Sequence, residues 1–212
     1  MGTKNKAPIR WGFCYTYPYM HYLVILGAAA NIVGTSFYIR DTFRGTTKPN
    51  RVTWLLWSVI PFIAFAAELA AGVRWATLPV FAAGFTPFMV LCASFFNRNS
   101  YWKLGTLDYL CGLLSIIAIV LWQLTGEPSV AIGFAILADT LATVPTYVKT
   151  WSYPETESSA TYFGGVFSAA TGMIVLPSFT FNGLAFLVYA ASTCLILIFL
   201  IYRKRIASSF GA

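Results

Sequence analysis

The chain has 212 residues, 58% of them hydrophobic and only 10% charged, and it carries a net charge of +7. A soluble domain carries about a quarter charged residues, so this composition excludes an ordinary water-facing globular surface. No nucleic-acid-reading motif, phosphate loop or metal-ligand spacing of Cys and His accompanies the positive charge.

In chain order the sequence predicts seven apolar spans, at 19–39, 52–71, 75–96, 106–124, 130–148, 160–175 and 183–202. A helix rises about 1.5 Å per residue, so about 20 residues cross a hydrocarbon core of about 30 Å. The expected class is an all-α integral membrane protein. Trp11, Tyr19, Trp102, Trp122, Trp151 and Tyr202 fall near span ends, as in aromatic belts, and His21 reads as an interfacial residue. Cys14 precedes the first span, while Cys92, Cys111 and Cys194 lie within spans and read as small apolar fillers.

Basic residues in the loops set the expected orientation. One side has Arg40, Arg44, Lys48, Arg51, Arg98, Lys103, Lys149, Arg203, Lys204 and Arg205; the other has Lys4, Lys6, Arg10 and Arg74. Ten against four places the N-terminus outside and the C-terminus in the cytoplasm. The expected location is a bacterial or archaeal cytoplasmic membrane. The lipid bilayer is the first partner, nucleic acid is not one, and a homo-oligomer is left open.

Sliding the chain by 108 residues aligns Thr35 with Thr143, Thr42 with Thr150, Phe43 with Trp151, Thr53 with Thr161 and Trp54 with Tyr162. Spans one to three map onto spans five to seven, with the fourth left as a connector. An odd connector gives both units one orientation, a parallel repeat of the kind found in transporters. The expected organisation is an extracytoplasmic segment at 1–18, a three-helix bundle at 19–96, a linker helix at 97–126, a second three-helix bundle at 127–202 and a cytoplasmic tail at 203–212.

The run from Ala138 and Asp139 through Pro145, Thr146 and Lys149, followed by Pro154, Glu155, Glu157 and Ser158, resembles the second motif of PQ-loop proteins. A worn first copy runs through Thr35, Arg40, Lys48, Pro49, Arg51 and Trp54. The 3+1+3 layout is similar to that of SWEET sugar transporters, cystinosin-type carriers and the KDEL receptor. Thr146 stands where the motif has Gln, and the third span lacks the Asn of SWEET-type sugar sites. The resemblance implies a small-molecule transporter working by alternating access, with a proton-coupled cycle as one form. A non-transporting receptor or scaffold on the same fold is the alternative, using exposed loops such as 151–159 with Glu155 and Glu157.

Candidate site residues follow from membrane depth. Asp139 lies near the middle of the fifth span, where a charge costs about 2.5–3.5 kcal/mol on insertion scales. It reads either as a proton-coupling or substrate-binding carboxyl or as a packing residue. The 108-residue shift sets Asn31 opposite it, with Thr35 and Thr143 one turn on. Trp57 offers a flat ring to a pocket, and Trp54 reads as a membrane-edge anchor. Pro61 and Pro145 are hinge candidates. Glu68 and Arg74 are candidates for an outer gate pair. Asp108 reads as a structural acid at the start of the fourth span, within reach of Lys103. Gly164, Ser168 and Gly172 form a small-residue stripe suited to close packing. The expected substrate is a small polar molecule. No catalytic constellation, metal site or cofactor is expected, and the chain does not read as an enzyme.

Overall fold

The computed structural model describes residues 20–70, 78–124, 128–176 and 179–210. These residues form seven helices: α1 Met20–Phe43, α2 Arg51–Ala70, α3 Leu78–Phe96, α4 Thr106–Leu124, α5 Pro128–Ser152, α6 Ala160–Ile174 and α7 Phe181–Phe210. Two short 3₁₀ turns, Arg98–Ser100 and Pro154–Thr156, sit in the connections. Three stretches, Tyr22–Phe43, Thr106–Leu124 and Leu184–Lys204, are long and apolar enough to cross a membrane.

Helix α5 runs four residues past the apolar span that predicts it, and α7 runs eight past its own. The physical reason is simple. Apolar runs mark where a hydrocarbon core would end, whereas Lys, Arg and Ser continue a helix readily beyond it. The segment 1–18 and Arg74 lie outside the described residues, as does the side chain of Glu68, so the proposed outer gate pair does too.

The connections α1–α2, α3–α4 and α5–α6 gather at one end of the bundle with the end of α7. Asn97 Nδ2 donates to the Phe43 carbonyl at 2.7 Å, and the Lys48 amide donates to the Thr156 carbonyl at 2.9 Å. Arg203 donates to the Trp151 carbonyl. This basic end collects the ten Lys and Arg residues counted above.

Local chemistry explains the sharp turns there. After α1 the Gly45 amide bonds to the Thr42 carbonyl and the Thr46 amide to the Asp41 carbonyl. This is a Schellman ending, and Gly45 supplies its left-handed residue at φ 80°. Asn50 opens α2: its Oδ1 accepts from the Val52 and Thr53 amides at 3.1 and 3.3 Å. Asp108 opens α4 by accepting from the Gly105 amide at 2.5 Å, and its other oxygen accepts from Asn50 Nδ2 at 2.5 Å. The structural role read for Asp108 therefore stands, but its partner is Asn50 rather than Lys103.

Helix α3 packs between α1 and α2, and α7 packs between α5 and α6. Across these groups α1 lies on α6, α2 lies on α5, and α4 lies on α5 and α2. Small residues let α1 and α6 approach closely. A Cβ on Gly34 would overlap the Ala160 carbonyl oxygen, and one on Gly164 would lie 2.7 Å from the Ala30 carbonyl oxygen. Gly172 instead faces Leu187 of α7. Leu56, Ile60, Ala118, Ile119, Ala138 and Ala142 form the core between α2, α4 and α5. The outer faces are apolar as well: Leu110, Leu113, Ile116, Ile117 and Val120 of α4 are all exposed.

Candidate functional site

Asp139 is half-buried on α5. Tyr189 of α7 donates its hydroxyl to Asp139 Oδ2 at 2.8 Å. One turn on, the Thr143 hydroxyl donates to the Asp139 backbone carbonyl at 2.7 Å and accepts from the Trp57 indole N–H at 3.2 Å. Residues of α2, α5 and α7 thus meet at one level. The neighbouring Ala138 carbonyl accepts from Ser115 of α4 at 2.6 Å, which fixes the depth of α5 against α4.

Asn31 of α1 lies against α6. It passes Gly164 of α6, and its Nδ2 lies 4.0 Å from where a Cβ on Gly165 would sit. Cys194 Sγ of α7 lies 2.6 Å from the same point. Thr35 takes another course: its hydroxyl pairs with the Thr161 hydroxyl of α6 at 3.1 Å. Of the sequence-derived candidates, Asp139, Thr143 and Trp57 are therefore brought together directly. Asn31 instead lies against Gly164 and Gly165 of α6, and Thr35 fastens α1 to α6.

Trp54 departs from its reading as a membrane-edge anchor. It is 2% exposed and packs its ring between Tyr38 and Trp57, with centroids 4.8 and 5.1 Å away. The reason is helix phase. Trp54 and Trp57 lie three residues apart, so both project to the same inward face of α2.

Both proline candidates lie inside continuous helices, Pro61 in α2 and Pro145 in α5. Proline lacks the N–H that would bond the carbonyl four residues earlier. Near that interruption Thr53 of α2 donates to the Ala142 carbonyl at 2.6 Å, and Thr146 donates to Thr53 Oγ1 at 2.9 Å.

Toward the basic end lies a second polar cluster. Lys149 of α5 and Glu157 of the α5–α6 connection form an ion pair whose side chains are wholly buried. Tyr38 of α1 and Tyr162 of α6 each donate to Glu157 Oε2 at 2.9 Å. Lys149 also donates to the Lys48 carbonyl at 2.5 Å and faces the Trp102 ring 5.5 Å away. Burial pulls the Lys149 ammonium below its ordinary range, and the Glu157 carboxylate pulls it back up. Ser158 adds a bond to Asp41 Oδ2 at 2.9 Å. The network thus joins α1, α5 and α6 with the α1–α2, α3–α4 and α5–α6 connections.

This cluster changes the standing of two residues. Lys149 counts as a loop charge in the sequence tally but is a buried cation. Glu157, offered above as an exposed scaffold contact, is its buried counterion. Only Glu155 of that pair of acids stays exposed. A spacing of eight across a Pro-containing turn gave no periodic signal that would have joined Lys149 to Glu157. Tyr189 also went unread; the available signal was a phenol deep in an apolar span, whose hydroxyl needs a buried acceptor. Beside the network a cavity of about 510 Å³ opens at the basic end, lined by Asp41, Thr46, Glu155, Ser159, Tyr202 and Lys204 among others.

No family model, no curated protein and no solved structure matches this chain.

Proposed function

We propose that this chain is a seven-span membrane protein built as two parallel three-helix units joined by α4, and that it carries a small polar molecule across the bilayer by alternating access. The packing supports the architecture: α1–α3–α2 and α5–α7–α6 have the same order, and the α1/α6 contact is the counterpart of the α5/α2 contact under the 108-residue shift. The PQ-loop and SWEET-like resemblance points the same way.

The observation that carries the functional reading is the Asp139 group. A half-buried carboxyl, a phenol, a threonine and an indole from three helices converge where the two units meet. Ionisable groups at such depth mark ion or substrate paths, and transporter sites lie at repeat interfaces near the midplane. The buried Lys149–Glu157 network fits the role of a closed gate at the basic end, since its bonds join both units. Opening that side requires those bonds to part while Pro61 and Pro145 absorb the bend.

The test starts with a ligand screen of sugars, amino acids and vitamins by thermal shift on purified protein. Reconstituted wild type should accumulate the ligand found under a proton gradient. Asp139→Asn should abolish that accumulation while keeping exchange at equal pH, because Asn keeps the shape and loses only the titration. Equal accumulation by Asp139→Asn sinks the coupling role. If no ligand stabilises the protein, the receptor or scaffold reading on the same fold replaces transport.

A further inference from the structure

An apolar groove of about 430 Å³ runs between α5 and α7 on the outer surface, lined by Tyr147, Val148, Trp151, Ile196 and Leu200. It lies toward the basic end, because Trp151 and Leu200 belong to the last turns of α5 and the lower part of α7. Arg203 sits at its rim, three residues beyond Leu200 and so on the same face of α7. The Arg203 guanidinium lies 4.1 Å over the Trp151 ring and donates to the Trp151 carbonyl. Its Nε is buried without an acceptor, and no carboxylate pairs with it among the described residues. A cation held in place by an indole and a carbonyl therefore remains electrostatically uncompensated beside a slot of acyl-chain character.

We infer that this groove is a binding site for one anionic phospholipid, with an acyl chain between α5 and α7 and the phosphate at Arg203. The inference rests on the membrane reading above but not on transport. Two features separate it from general lipid contact. The shallow slot is wholly apolar where it meets the helices. The charge at its mouth is fixed by the Trp151 stack rather than free to move. Basic pockets between helices at the positively charged side are the usual place for such head groups. The lipid would bridge α5 to α7 within one unit, next to the turn that carries Glu157.

The experiment uses full-length protein in detergent and native mass spectrometry. Phosphatidylglycerol and phosphatidylcholine of identical chains compete for retention. Phosphatidylglycerol should be favoured about fivefold, the contribution of one basic side chain near an anionic surface. Arg203→Gln should erase that preference, and Arg203→Lys should keep most of it. Ile196→Trp, which fills the groove, should lower retention of both lipids. Arg98→Gln, an exposed basic residue at the same end, should change nothing. The site is overturned if the two lipids bind equally, if Arg98→Gln acts like Arg203→Gln, or if inorganic phosphate alone protects the protein from heat as well as the lipid does. Carbonate extraction of cell membranes separates the two ideas: protein released by carbonate defeats the membrane reading itself, while retained protein without lipid preference defeats only this site.

Discussion

The basic end and the Asp139 level differ in how their polar groups are satisfied. At the basic end a full ion pair is buried and closed on all sides by Tyr38, Tyr162 and the Lys48 carbonyl. At the Asp139 level the carboxyl is half-buried, accepts from the neutral Tyr189 hydroxyl and has no cationic partner among the described residues. The first arrangement holds helices from different parts of the chain together, since removing either charge strands the other. The second holds a carboxyl by neutral donors with no counter-charge, the feature on which the proposed coupling role rests. The ion pair and the lone carboxyl thus lie at different depths of one bundle.

The sharpest way to break this contrast is Glu157→Gln. It leaves the Lys149 ammonium buried without a counterion, a loss of about 3–5 kcal/mol for breaking a buried pair. Unfolding in detergent should shift accordingly, and adding Lys149→Met should recover part of the loss. A single variant as stable as wild type would show that the pair is not a clamp.

Next in size is Gly34→Ala. Its new methyl meets the Ala160 backbone, so α1 and α6 must separate, at about 1–3 kcal/mol for overpacking. Gly133→Ala is the control, because nothing lies within 4 Å of its added Cβ. Equal effects from the two would remove the close α1/α6 contact from the description.

Asn50→Ala tests a neutral part of the basic end. It deletes the α2 cap and the bond to Asp108 together. The expected cost is about 1–2 kcal/mol, the upper part of the range for a helix cap. Asp108→Asn in the same background should add little, since the two share one contact.

Tyr189→Phe should have the smallest effect on stability, about 0.6 kcal/mol, the average for a hydrogen bond inside a membrane bundle. Its effect on the pH profile of transport should be far larger than its effect on melting. A large drop in melting temperature with an unchanged pH profile would recast Asp139 and Tyr189 as a packing pair, and the contrast between the two depths would disappear.

Apolar runs and helix phase make much of this molecule legible in its sequence. The span at 160–175 and α6 agree at the start and within one residue at the end, because the helix-compatible apolar run acts locally. Asp139 stood out because a carboxyl in an apolar run is costly wherever the helix goes, and Thr143 followed at one helical turn. Lys149 and Glu157 were a different case. Each sat beside a turn and looked like a solvent charge, and only the folding of that turn back onto α1 and α6 buried them together. Tyr189 likewise met Asp139 through the packing of α7 on α5, fifty residues apart in the chain. Local sequence determines which segments are helical and which polar groups are expensive, since those costs are set within one turn. Which polar group satisfies which is decided by helix–helix packing, since hydrogen bonds between helices depend on rotations and depths that no single segment contains.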